Sequence, residues 1–117
     1  MAVTETYEYP VAGAVAPTAA EVRRLSMVVA SVEATADADV LSTITHNMAI
    51  SVADLAAGWP VILLEPLLPE FYVSTPYVLA ADKLTNSVAI TMSAGVGSGV
   101  VGDQMRVTIL RPNTAIR

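Results

Sequence analysis

The clearest pattern in the chain is strict alternation near its end. In Gln104–Leu110, Met105, Val107 and Ile109 stand opposite Gln104, Arg106 and Thr108. Ser87–Ser93 repeats the pattern, with Val88, Ile90 and Met92 opposite Ala89 and Thr91. A period of two predicts strands with one apolar and one polar face. Val22–Glu33 predicts a longer strand, in which Leu25, Met27 and Val29 alternate with Arg24 and Ser26. Its Val28–Val29 pair breaks the alternation and predicts burial on both faces at the centre. Val40–Thr45 is a further strand, whose Thr43 and Thr45 suit a pleated surface. Trp59–Leu64 carries no polar residue, Phe71–Val73 is short, and Tyr77–Lys83 reads as a strand after Pro76. Turns fall at Ala34–Asp39, Leu84–Asn86 and the glycine-rich Ala94–Asp103.

Two segments depart from this pattern. Ser51–Gly58 predicts the one helix: Ser51 caps, Asp54 follows three residues later, and Gly58 stops it. Met1–Ala20 lacks Leu, Ile, Phe and Trp, and Pro10 and Pro17 interrupt it. It reads as an extended arm, with Tyr7, Tyr9 and Pro10 as contact residues. Twenty extended residues reach at most ~65 Å, enough to touch a neighbouring subunit. The expected fold is all-β: an antiparallel β-sandwich or small barrel over residues 21–117, one short helix, and an arm over residues 1–20.

Composition narrows the function. Apolar residues make up 54% and charged residues 15% of the 117, with a net charge of −5. The apolar share is mostly small or β-branched, with 19 Ala and 17 Val. That much apolar content excludes disorder. The absence of Cys excludes a disulfide framework. The acidic balance speaks against nucleic-acid binding, which needs a basic face. No apolar run approaches the ~20 residues of a membrane span. The first basic residue is Arg23, after Glu5 and Glu8, which is unlike a secretory leader.

Candidate chemistry is sparse. Gly97, Gly99 and Gly102 fit a dinucleotide fingerprint, but a strand pattern follows where a helix is needed. His46 is the only histidine, so a metal site would lack His and Cys partners. It shares strand parity with Ile44 and reads as an inward, hydrogen-bonded structural residue. Asp37 and Asp39 offer too few oxygens for calcium. Glu65 and Glu70 lie in a segment bent by Pro66 and Pro69, with no polar surroundings for acid–base work. Trp59, Phe71, Tyr72 and Tyr77 read as core or protein-interface residues before a sugar platform. The chain is expected to be no enzyme and to need no cofactor.

Pro60–Leu64 adds a constraint, because it is apolar on both faces. One face fills a core, and the other needs a cover from the arm or another subunit. Only one Lys, Lys83, is present in the chain, and Lys is the charge that commonly protects exposed sheet edges. A homo-oligomer follows as the expectation, with Trp59, Val61, Leu63, Phe71 and Tyr72 at the contact.

The string Ile44-Thr45-His46-Asn47-Met48, then Ser51-Val52-Ala53-Asp54-Leu55 and the proline-flanked apolar strand, resembles small β-sandwich virion proteins of tailed bacteriophages. The resemblance spans Glu33–Pro112, with Tyr77–Ser93 as the hairpin and Met105–Leu110 as the closing strand. Ala49 stands where that family often has Gly. The resemblance implies structural roles for His46 and Asn47 in the turn. It further implies a head decoration (cement) protein, often trimeric, on the capsid outer surface with the major capsid protein as partner. A tail or neck component is a related possibility. The rival readings are a tail or baseplate module recognising host glycans, and a small hydrolase using His46.

Overall fold

A computed structural model describes residues 3–23, 25–34, 40–67, 78–92 and 104–112. The fold is all-β. Its strands are β1 (Val3–Tyr9), β2 (Met27–Ala34), β3 (Val40–Thr45), β4 (Val61–Pro66), β5 (Ser87–Met92) and β6 (Gln104–Leu110). Two short helices, α1 (Ala19–Val22) and α2 (Val52–Ala56), lie between them. One sheet has the order β1-β2-β6-β4 and the other pairs β3 with β5, all antiparallel.

Strand β6 behaves as its alternation demands. Met105, Val107 and Ile109 are fully buried, and the residues between them are half-buried. They align with Val32, Ala30 and Val28 of β2, because paired residues share a face of the sheet. Ile44, Val88 and Ile90 close the core from the second sheet. Each such side chain contributes roughly 1.5–3 kcal/mol when taken from water. Among the described residues the two sheets share no backbone ladder, and the arrangement is sandwich-like.

The N-terminal stretch corrects the arm expectation. Val3–Tyr9 is no free arm but the edge strand β1, paired with β2 from Val3↔Ala34 to Tyr9↔Val29. Thr4, Thr6 and Glu8 alternate with Glu5 and Tyr7, so the stretch already had strand period. Tyr7 points inward and is buried in the core. Its hydroxyl accepts the Thr45 N–H at 3.0 Å, and Ser42 Oγ donates to Glu5 Oε1 at 2.9 Å. These two bonds tie the edge of the first sheet to β3. Beyond Pro10 the chain folds back, and Tyr7 and Gly13 exchange backbone hydrogen bonds.

Other boundaries differ for identifiable reasons. The expected strand at Val22–Glu33 begins only at Met27, because Val22 ends α1. That helix makes the expectation of a single helix one too few. It starts at a capping box: Thr18 Oγ1 accepts the Glu21 N–H, and Glu21 Oε1 accepts the Thr18 N–H. Helix α2 sits where Ser51–Gly58 predicted it, with Ser51 Oγ capping Asp54. The expected strand at Tyr77–Lys83 is instead a 3₁₀ turn over Ala80–Asp82, a sequence poor in strand formers. The turns at Ala34–Asp39 and Ala94–Asp103 and the strand at Phe71–Val73 lie outside the described residues, apart from Ala34, which ends β2.

Tyr7 gives the test of this strand. Tyr7→Phe removes one partly buried hydrogen bond and is expected to cost about 1 kcal/mol. Tyr7→Ala also empties core volume and is expected to cost about 3 kcal/mol or more. Urea midpoints measure both, and a loosely tethered arm would leave both unchanged.

Candidate functional site

Two places on the fold carry unusual chemistry. The first is the turn after β3. Parity with Ser42 and Ile44 carries His46 into the core, where it is fully buried. Its Nδ1 accepts the Met48 N–H at 3.0 Å, which places the proton of the neutral ring on Nε2. Among the described residues Nε2 has no hydrogen-bond partner. Burial lowers the imidazole pKa to about 4; the Leu84 backbone opposes the shift and the Arg111 charge adds to it. Burial and the bond from Met48 N–H hold the ring within the turn and favour its neutral form.

The turn itself needs left-handed backbone twice, at Asn47 (φ 55°) and Ala49 (φ 54°). Asn tolerates that region, and Ala does so only with strain. Asn86 holds the turn in register. Its carbonyl accepts the His46 and Asn47 N–H groups, and its side-chain oxygen accepts the Ala49 N–H. Asn47 Nδ2 donates to the Pro17 carbonyl at 2.7 Å, fastening the segment before α1.

Arg111, just past β6, completes this cluster. Its Nε donates to the Leu25 carbonyl at 2.7 Å, and its Nη2 to those of Val22 and Arg23 at 2.8 and 2.9 Å. Its Nη1 donates to the Met48 carbonyl. A cation at the carbonyl end of a helix is favourably placed. Arg111 makes no ion pair among the described residues, and partial burial lowers its pKa. A cleft of about 360 Å³ beside it is lined largely by Ala19, Ala20, Val22 and Ala49. Four of the five guanidinium N–H groups are committed to carbonyls, so the cluster is a staple of the fold.

Among the described residues the remaining chemical candidates do not assemble. Among the described residues no group of three or more His, Cys, Asp or Glu is placed to hold a metal. Glu65 is exposed and pairs with Arg106 at 2.8 Å. Asp37, Asp39, Glu70 and Gly97, Gly99 and Gly102 lie outside the described residues, as do Phe71, Tyr72 and Tyr77. Trp59 is half-buried and packs against the core.

The second place is the outer face of the four-stranded sheet. In β4, Ile62 and Leu64 pack against the core while Val61 and Leu63 are exposed. The register extends this outward set across the sheet. Val61 lies beside Leu110 and Met27; Leu63 lies beside Thr108, Val29 and Tyr9. Tyr9 and Val61 are each 40% exposed and Leu63 52%. One half of the face is therefore mostly apolar, with Thr108 the polar residue within it. The other half is polar, with Thr6, Ser31, Arg106 and Glu65 across the strands. Arg106 sits between Glu8 and Glu65, at 3.2 and 2.8 Å, and both carboxylates hold its guanidinium in the charged form.

Three of the expected contact residues, Tyr9, Val61 and Leu63, thus share one surface. Tyr7 is corrected: it lies in the core and is not available to a neighbour. Pro10 is half-buried next to Tyr9. Sequence reasoning missed Met27, Val29 and Leu110, whose membership follows only from strand pairing. No protein-family model, curated protein or solved structure matches the chain.

Two stability predictions follow from the turn. The unfolded imidazole titrates near 6.5 and the folded one near 4, so the unfolded chain holds the extra proton in between. The contribution of His46 is complete above pH 6.5 and is lost as the pH falls toward 4. Between pH 7.5 and 5.0 the loss is expected to be about 2 kcal/mol, read from urea midpoints. An imidazole resonance titrating near 6.5 in the folded protein would contradict it. Ala49→Gly relieves the left-handed strain and is expected to stabilise the fold by about 0.5–1 kcal/mol, offset in part by the entropy of unfolded Gly. An unchanged or lowered thermal midpoint would contradict it.

Proposed function

We propose that this chain is a non-catalytic virion structural protein that decorates and stabilises the capsid of a tailed bacteriophage. In this reading it sits on the outer surface of the capsid as a homo-oligomer, trimeric on the family pattern, with the major capsid protein as its partner. The observation that carries the proposal is the apolar half of the outer sheet face. It is built on rigid strands and is not needed by the chain's own core. A contiguous apolar patch of this kind marks a surface covered by another protein. The buried, neutral His46 and the carbonyl-saturated Arg111 support a scaffold role over catalysis. Repetition over a lattice then makes weak single contacts effective, because each further contact forms at high local concentration.

Co-sedimentation of the purified full chain with empty capsids of the parent phage tests this. Leu63→Glu, on the exposed face, is expected to lower capsid binding at least tenfold while leaving the thermal midpoint within about 2 °C of wild type. Light scattering on the free chain is expected to give an oligomer. Wild-type capsid binding by Leu63→Glu, or no binding by the wild-type chain, would overturn the proposal.

A further inference from the structure

The outer sheet face carries charge as well as apolar area, and the charge discriminates between occupants. Its charged residues are Glu8 on β1, Glu33 on β2, Arg106 on β6 and Glu65 on β4. Three carboxylates against one guanidinium leave the face acidic, in a chain whose net charge is −5. Glu8 and Glu65 border the apolar half directly. They belong to the two outermost strands of the order β1-β2-β6-β4 and reach Arg106 from either side.

A second copy stacked with its strands parallel to these fits the face poorly. Stacking apolar half on apolar half about a two-fold axis parallel to the strands lays β1 of one copy over β4 of the other. That lays each Glu65 over the Thr6 row beside Glu8 of the other copy, and each Arg106 over a Ser31. Like charges placed opposite one another in an interface disfavour the pairing. A partner with an apolar centre and a Lys or Arg rim meets both halves of the face at once.

We infer that the outer face of the β1-β2-β6-β4 sheet docks a different protein, whose contact surface is apolar at its centre and basic at its rim, and not a second copy of this chain. The inference rests on the capsid-decoration reading and specifies the lattice surface that this reading requires. Oligomerisation of the chain uses another surface.

The test combines two measurements on the full chain. Capsid binding is measured by co-sedimentation in 50 and 500 mM NaCl, for wild type, Leu63→Glu and the triple variant Glu8→Gln/Glu33→Gln/Glu65→Gln. Oligomeric state is measured by light scattering for the same proteins. Wild-type binding is expected to weaken at least fivefold at the higher salt. The triple variant is expected to bind at least fivefold more weakly at 50 mM and to lose most of the salt dependence. Both variants are expected to keep the wild-type oligomeric state. Exposed ion pairs contribute little to stability, so the triple variant is expected to fold. Equal or tighter binding by the triple variant, alongside lost binding by Leu63→Glu, would overturn the basic-rim inference and leave the decoration reading standing. Conversion of the oligomer to monomers by Leu63→Glu would show a second copy on the face and overturn the inference directly. Retained capsid binding by Leu63→Glu would overturn both.

Discussion

Strand β6 separates the inside of this molecule from its outside. It lies between β2 and β4, so its alternation is imposed on both neighbours through the ladder. Met105, Val107 and Ile109 fix which residues of β2 and β4 turn inward. Slipping the register by one residue would drive Arg106 and Thr108 into the core and expose all three apolar side chains. The energetic cost of such a slip is several buried side chains plus an unpaired buried charge. The outward composition of the sheet, including its apolar half, is therefore a consequence of how firmly the inward set is held.

Immediately after β6 comes the residue that joins the sheet to α1 and to the turn after β3. Arg111 reaches the carbonyls of Val22, Arg23, Leu25 and Met48, so one side chain fixes the end of α1, the approach to β2 and the turn after β3. An arginine can do this because its planar fork presents five donors and stays charged. The same charge lies near His46 and helps to keep it neutral. The buried histidine and this arginine are thus electrostatically coupled within one cluster. The strained Ala49 belongs to the same turn, and Asn86 holds it from the opposite strand connection.

Much of this was legible in the sequence, and the failures have physical causes. Strands β3, β5 and β6 announce themselves by period and β-branched residues, and α2 by its Ser51 cap. Helix α1 was equally legible, since Thr18-Ala19-Ala20-Glu21 is a capping box, but the surrounding prolines and the apparent strand through Val22 obscured it. The inward position of His46 followed from its parity with Ile44. Its unpartnered Nε2 did not, because that depends on what the rest of the core places opposite it. The role of Arg111 was invisible, because its partners are backbone carbonyls up to 89 positions away. The members of the outer face on β2 and β6 were likewise hidden until the register put them beside Val61 and Leu63.

The N-terminal strand shows how a correction can sharpen the argument that it displaces. The apolar strand Trp59–Leu64 required a cover, and the arm was one candidate for it. In the fold, β1 lies at the opposite edge of the sheet from β4, three strands along, and is committed to β2 and β3. It cannot lie over β4. Its last residue, Tyr9, instead joins the outward apolar set beside Val29 and extends it to the sheet's far edge. Glu8, brought to the same face at the irregularity between Tyr7 and Tyr9, helps to fix the Arg106 guanidinium along the border of that set. The segment expected to hide the apolar surface is part of what builds it. The chain's own N-terminal strand therefore enlarges the exposed apolar surface and does not shield it.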